Sequence, residues 1–146
     1  MPTPAASAPS VADLHTLQQA LGTVFAPWVQ ELDLQVLQAQ AGEVILGLPV
    51  APLHVHAGGV LCGQTMMAAC DTAMVLAVMT RIGAFKPMTT VQLQTSFLRP
   101  VAGDSGSVQV VARVLRLGRS LVFGEVEVRT AEGELAAHAT TTYALH

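Results

Sequence analysis

Charge is scarce in this chain of 146 residues. Asp, Glu, Lys and Arg make up 12% of it, about half the share usual in globular domains, while hydrophobic residues make up 51%. Disorder over most of the length is excluded, because disordered segments combine low hydrophobicity with high charge. The same scarcity points to self-association, since so few charges leave apolar surface for a partner to cover. Basic residues are fewer still. Seven Lys and Arg lie scattered in a chain of net charge -3. No basic stripe exists, which excludes nucleic acid as a partner. Cysteine is nearly absent. Cys62 and Cys70 form neither a disulfide framework nor a metal-binding spacing, and they suit a reducing cytoplasm. Residues 1–9 hold no basic residue and no apolar run, so they do not read as a signal peptide. They read as a disordered tail, ahead of one domain over residues 10–146.

The longest apolar stretch runs from Gly63 to Ile82 and has the length of a membrane span. Asp71 sits near its middle, where an acidic group is costly in lipid. The rest of the chain alternates like strands in water. The stretch therefore reads as a buried core helix, with no membrane involved.

The pattern along the chain is helix, two strands, buried helix, four strands. Ser10 with Asp13 resembles a capping box. Leu14, Leu17, Leu21 and Val24/Phe25 follow at helical spacing, giving a first helix to about Phe25, with Pro27 stopping it. Leu32, Leu34 and Val36 alternate with polar residues as a half-buried strand. Ala41-Gly42 is a turn, and Val44–Leu48 is a second strand. Pro49 to Gly59 is a loop. After the apolar helix, ended by Gly83 and Pro87, the period changes to two. Strands are expected over Thr90–Leu98, Ser107–Leu117, Leu121–Thr130 and Leu135–Tyr143, the last three as a meander. An apolar helix needs wrapping, and an antiparallel sheet must cover one face. Both needs are met by an α+β fold, a curved antiparallel sheet wound around the long central helix, which is the hotdog architecture. Such a sheet leaves an exposed edge at its first or central strands, which a second copy would pair with or cover.

Asp71 is the chemical outlier. It is the only charged residue between Val44 and Thr80, and buried carboxylates concentrate at functional sites. A structural role would instead have it bond a nearby hydroxyl such as Thr72. The start of the same helix is the second feature. Gly58, Gly59 and Gly63 permit close backbone approach, and free N–H groups at a helix start suit an oxyanion. His54 and His56 have H-x-H spacing, but no third ligand type accompanies them, so no metal is expected. Cys62 near the helix start is a nucleophile candidate, although a small buried apolar role suits it as well. Met66, Met67, Met74 and Phe97 suit either an adaptable apolar pocket or ordinary core.

The run from His56 to Ala73, HAGGVLCGQTMMAACDTA, resembles the PaaI-type hotdog acyl-CoA thioesterases. Their pattern is N-x-x-G-x-x-H-G-G followed by L-x-D-x-A on the central helix. Thr90–Pro100, Arg116–Ser120 and Ala136–Thr140 are similar to later stretches of that family, and the resemblance spans residues 30–145. It implies that Asp71 is the catalytic acid and that the Gly63 N–H polarises the thioester carbonyl. Gly59 matches the turn glycine, and Thr90 matches a Ser or Thr that helps hold the attacking water. His56 stands where the family often has Asn and would position the thioester. Cys62 stands where it often has His, and Gln64 replaces the second glycine of the pair.

Hydrolysis of an acyl-CoA thioester to free acid and coenzyme A, without metal or cofactor, is the activity implied. Asp71 would act as general base toward water or as nucleophile. Arg99, Arg113, Arg116 and Arg119 are candidates for the phosphates of coenzyme A, with Arg116 and Arg119 inside the resembling stretch. Two other activities compete. A hotdog dehydratase or hydratase needs a motif such as G-D-x-N-P-x-H, which this sequence lacks. A non-catalytic acyl-CoA binder would lack the helix carboxylate. Gly63 and Asp71 lie about 12 Å apart along a straight helix and are turned roughly 80° from each other. One carbonyl would meet both only if two subunits shared each site, so a homodimer or homotetramer is expected.

Overall fold

The structure is a computed structural model that describes residues 13–146. The expected tail and Ser10 lie outside the described residues. Asp13 itself caps the first helix, α1 (Leu14–Leu21), accepting the Thr16 N–H at 2.7 Å. That helix is shorter than its spacing suggests. It stops at Gly22, and Val24 and Phe25 leave its axis. Pro27 opens a second short helix, α2 (Pro27–Gln30), instead of ending the first. Proline suits that first position because its missing N–H would have no helical partner there.

Leu32 and Leu34 are buried as expected but precede β1 (Gln35–Gln40). Then follow β2 (Glu43–Pro49), a 3-10 turn at Pro52–His54, α3 (Gly63–Ile82), β3 (Met88–Phe97), β4 (Ser107–Leu117), β5 (Leu121–Arg129) and β6 (Leu135–Leu145). All six strands form one antiparallel sheet in the order β1-β2-β4-β5-β6-β3. β4, β5 and β6 make the expected meander. Between β2 and β3 the chain crosses the sheet as α3, so β3 lands on the far edge beside β6.

Alternation builds the core. Val44, Leu46 and Leu48 of β2, Val108, Val110 and Ala112 of β4, and Val122, Val126 and Val128 of β5 all turn inward and are buried. They meet α3, whose Met74, Leu76 and Val78 are fully enclosed. Each such larger side chain stabilises the fold by roughly 1.5–3 kcal/mol. Gly124 of β5 makes the close approach possible: a Cβ there would lie 2.2 Å from the Met74 Cε and 2.9 Å from the Arg113 carbonyl oxygen. At its far end α3 is fixed by Gly83 in the left-handed conformation (φ 86°). The Thr80 hydroxyl, accepting from the Gly42 N–H at 2.8 Å, ties that end to the β1–β2 turn. Although α3 is long and apolar enough to cross a membrane, 72% of its apolar window is buried inside the fold. It is the core helix of the sheet.

The sheet has two edges, β1 and β3. The start of the β1 edge is capped from within the chain. The Gln18 side-chain amide of α1 accepts from the Val36 N–H at 2.8 Å and donates to the Leu34 carbonyl at 3.1 Å, in the manner of a short extra strand. β3 pairs only with β6 among the described residues. Val91 and Phe97 of this strand and Leu98 just beyond it are exposed. An open edge with exposed apolar side chains is a template for pairing with another chain.

Candidate active site

Asp71 projects from the middle of α3 toward the outer strands. Its Oδ1 accepts a hydrogen bond from the Thr90 hydroxyl at 2.8 Å and a second, short one from the Tyr143 hydroxyl. The Tyr143 hydroxyl also lies 2.6 Å from the Asp71 carbonyl oxygen. Thr90 and Tyr143 are direct cross-strand partners in the β3–β6 register, so the sheet presents both hydroxyls side by side beneath one turn of α3. Thr72, the other possible partner, turns back on its own helix to the Ala68 carbonyl. With both donors on Oδ1, no hydrogen bond to Oδ2 occurs among the described residues. Burial, and then the neighbouring Asp71 charge, push the Tyr143 phenol far above its ordinary value. It stays protonated and serves as a donor.

A cleft of about 280 Å³ opens beside this carboxylate. Val24, Phe25, Trp28, Val75, Phe85 and Met88 supply its apolar walls. Of the pocket candidates in the sequence, Met74 is enclosed in the core, Met66 and Phe97 line a different cleft, and Met67 lines neither.

The start of α3 forms a second, separate site. His56 to Val60 make a tight turn. The Gly59 N–H donates to the His56 carbonyl at 2.9 Å, and the Gly58 N–H donates to the His56 Nδ1 at 2.9 Å. Gly59 has φ 79°, which favours glycine. Because Nδ1 accepts, the neutral His56 ring carries its proton on Nε2. Cys62 precedes the first helical residue and its Sγ lies 3.0 Å from the Thr65 hydroxyl, which lies 3.2 Å from the His54 Nδ1. Gln64 is exposed. Gly63 faces the Phe97 ring, with only 3.1 Å between that ring and a Cβ placed on Gly63. It lines a cleft of about 410 Å³ with Leu61, Met66, Leu98 and Arg99 among others. Phe97 and Thr90 are seven residues apart on β3, a separation of roughly 23 Å. The structure therefore joins Asp71 to Thr90 and keeps both away from Gly63, His56 and Cys62.

The arginines divide in two. Arg99 is paired with Glu134, and Arg113 sits between Glu43 at 2.9 Å and Glu127 at 3.1 Å. Both have acidic partners within the chain, the Arg99–Glu134 pair at the exposed surface and Arg113 half-buried. Arg116 and Arg119 are exposed at the β4–β5 hairpin and make no ion pair among the described residues. Tyr143 is the residue that sequence reading missed. It is the only tyrosine, and it falls on the buried parity of β6, where Ala137, Ala139 and Thr141 also point inward. A buried phenol needs a hydrogen-bond partner.

The two cysteines differ in chemistry. Burial in α3, and then the adjacent Asp71 charge, push the Cys70 thiol up to about 12. At pH 8 it is a neutral thiol enclosed by the core, whereas Cys62 is only half-buried. A disulfide reagent at pH 8 should titrate one thiol rapidly in the native protein and the second only on unfolding. Two fast thiols would contradict the packing of α3.

Tyr143→Phe removes one of the two donors on Asp71 and leaves the ring in place. Hydrogen bonds to charged groups contribute about 1.5–3 kcal/mol. The expected result is a kcat lower by on the order of tenfold, with little change in KM, measured by steady-state kinetics.

A family model described as the thioesterase superfamily matches residues 58–137. A protein of Saccharolobus solfataricus, provisionally named an esterase, is 32% identical over 108 residues, which are 74% of this chain and 75% of that one. A thioesterase of Haemophilus influenzae has the same fold, with a TM-score of 0.83 at 23% identity over 95% of this chain and 94% of that one. So does a hypothetical thioesterase of Streptococcus pneumoniae solved with coenzyme A, with a TM-score of 0.71 at 19% identity over 77% and 85%.

Proposed function

The chain belongs to the thioesterase superfamily of hotdog-fold hydrolases, and we propose that it hydrolyses acyl-CoA thioesters with Asp71 as the catalytic carboxylate, without metal or cofactor. The observation that carries this reading is the asymmetry of Asp71. One oxygen is held by Thr90 and Tyr143, the other has no hydrogen bond among the described residues, and Asp71 lines an apolar cleft. The coenzyme A in the Streptococcus pneumoniae structure supports the choice of thioester.

The Thr90 hydroxyl proton is engaged on Oδ1, so its oxygen lone pairs remain to accept from a water molecule. That water donates one hydrogen to Thr90 Oγ1 and the other to Asp71 Oδ2. As Oδ2 takes the proton, the water oxygen bonds to the thioester carbonyl carbon. The carbonyl oxygen becomes an oxyanion held by the Gly63 N–H at the positive end of α3. Collapse breaks the C–S bond. The thiolate of coenzyme A leaves and receives the proton from Asp71, and the acid departs.

Within one chain the Gly63 N–H lies too far from Asp71 for this step. A two-fold dimer joined through the open β3 edge brings Gly63 of one subunit to Asp71 of the other. A homodimer or homotetramer follows, with low surface charge and the apolar side chains along β3 in support. His56, Gly59, Cys62 and Gln64 then shape the Gly63 side of the shared site, the His56 Nε2–H orienting the thioester. Arg116 and Arg119 hold phosphates of coenzyme A. Two unpaired cysteines suit the cytoplasm.

A panel of aliphatic and aryl acyl-CoAs, read by release of free thiol, tests the assignment. Release from at least one member at a rate well above background is expected. No release from any member would overturn it.

A further inference from the structure

Between α1 and β1 the chain carries apolar residues that never reach the core. Residues 22–31 include Val24, Phe25, Trp28 and Val29, yet none of the ten is buried. Both flanks are anchored. Leu17 and Leu21 before the segment and Leu32 and Leu34 after it are buried, and the Gln18 amide holds α1 against Leu34 and Val36. The two ends are thus fixed beside each other, and the segment loops out between them as a compact surface loop does. Its hydrogen bonds stay local. The Val24 N–H donates to the Ala20 carbonyl at 2.9 Å, the Val29 N–H to the Ala26 carbonyl at 2.9 Å, and the Gln30 side-chain amide to the Phe25 carbonyl at 2.8 Å. Among the described residues none of its hydrogen bonds reaches α3 or the sheet, and it takes part in no ion pair.

What the segment covers is the cleft beside Asp71. Val24, Phe25, Trp28 and Val29 form one wall, and Asp71, Thr72 and Val75 of α3 line the same cleft. Apolar contact is non-directional. A segment held over the cleft by such contact alone can swing away as a unit, with its own hydrogen bonds intact. The chain bends at both ends of it. Gly22 closes α1, and Asp33 is the one non-glycine residue of positive φ, at 57°, among the described residues. Aspartate tolerates that left-handed conformation better than most side chains. Surface segments with few buried apolar contacts open at far lower cost than the whole fold. We propose that residues 22–31 are a lid over the Asp71 cleft. Opening admits the acyl group, and closing shuts out bulk solvent while the water between Thr90 and Asp71 stays in place. The proposal rests on the hydrolysis reading only for what enters the cleft. The motion itself belongs to the free protein and is measured without substrate.

Cys70 supplies an internal reference for that measurement. It lies on the same helix, fully enclosed by the core, so its thiol reports unfolding of the whole fold. Val75, 8% exposed, lies under the lid instead. The Val75→Cys protein is treated with fluorescein-5-maleimide, a rigid dye too large to enter the closed cleft of about 280 Å³. Labelling at each position is followed in time by fragmentation mass spectrometry, which also separates the signal of Cys62. The thiol at position 75 should be labelled about a hundredfold or more faster than Cys70 in the same sample. Trp28→Ala and Phe25→Ala, each added to that protein, remove contacts of the closed lid. At least one should speed labelling at position 75 by about threefold or more and leave the Cys70 rate unchanged. Thr72→Cys, on the same wall and 3% exposed, stands in if Val75→Cys does not fold. Equal rates at the two positions would mean that the wall opens only with the whole fold, and would overturn the proposal. So would a rate at position 75 that both added variants leave unchanged. A protein that hydrolyses no acyl-CoA yet shows the fast labelling would defeat the hydrolysis reading and leave the lid standing.

Discussion

Asp71→Asn should nearly abolish turnover while the protein stays folded and binds its substrate. The side chain keeps its volume, and the remaining carbonyl oxygen still accepts from Thr90 and Tyr143, which now hold Oδ1. What changes is the free position. Oδ2 becomes an amide nitrogen that has no lone pair for a proton and repels the hydrogen of the attacking water. Removing a general base typically costs about 10²–10⁴-fold, and a drop in kcat of that size is expected. KM should move little, because the carboxylate takes up its proton only as the transition state forms. Circular dichroism and the midpoint of urea unfolding should match the wild type closely. A variant that kept more than about a tenth of wild-type kcat would make Asp71 a structural residue that merely ties α3 to β3 and β6.

The parts of the fold that sequence makes legible are those where one physical signal dominates. α3 runs over the interval expected for it, because it is apolar on all sides and ends in a glycine of positive φ. β5 likewise shows clean alternation between turns. The N-terminal third is harder to read. Pro27 is equally suited to stopping a helix and to starting one, and local sequence does not separate the two. Leu32 and Leu34 alternate and are buried, yet they reach the core ahead of the strand ladder. Burial follows periodicity, whereas pairing depends on where the neighbouring strand lies. The site divides in the same way. Asp71 announces itself as a lone charge in an apolar helix, and Thr90 is legible only through family resemblance. Tyr143 is 72 residues from Asp71, and only the β3–β6 register brings it alongside Thr90. Its signal, a phenol on the buried face of a strand, names no partner. The ion pairs of Arg99 and Arg113 are illegible for a similar reason, since their acidic partners Glu134, Glu43 and Glu127 come from other strands or turns.

Two inactive variants should restore activity to each other if each site is built from two chains. Asp71→Asn removes the base. Gly63→Pro removes the N–H that would hold the oxyanion, and the backbone permits it. Cys62 is extended, with ψ 147°, the conformation required before proline, and proline is tolerated at the first position of a helix. The one steric concern is the Phe97 ring, 3.1 Å from a Cβ at Gly63. Phe97 is 48% exposed within one chain, and the Gly63→Ala control meets the same ring. Gly63→Ala places a Cβ against the same ring but keeps the N–H, so it should remain active and isolates the effect to the missing donor. Unfolded together and refolded in equal amounts, the two inactive chains form mixed dimers. In each mixed dimer one site combines the Gly63 N–H of the Asp71→Asn chain with the Asp71 carboxylate of the Gly63→Pro chain and is whole, while the other site lacks both groups. Half of the dimers are mixed and half of their sites are whole, so activity should return to about a quarter of the wild-type level. Native mass spectrometry confirms that exchange occurred. Verified mixed dimers without activity would place the oxyanion donor and the carboxylate of each site in one chain, against the separation of Gly63 from Asp71 along α3 and of Phe97 from Thr90 along β3.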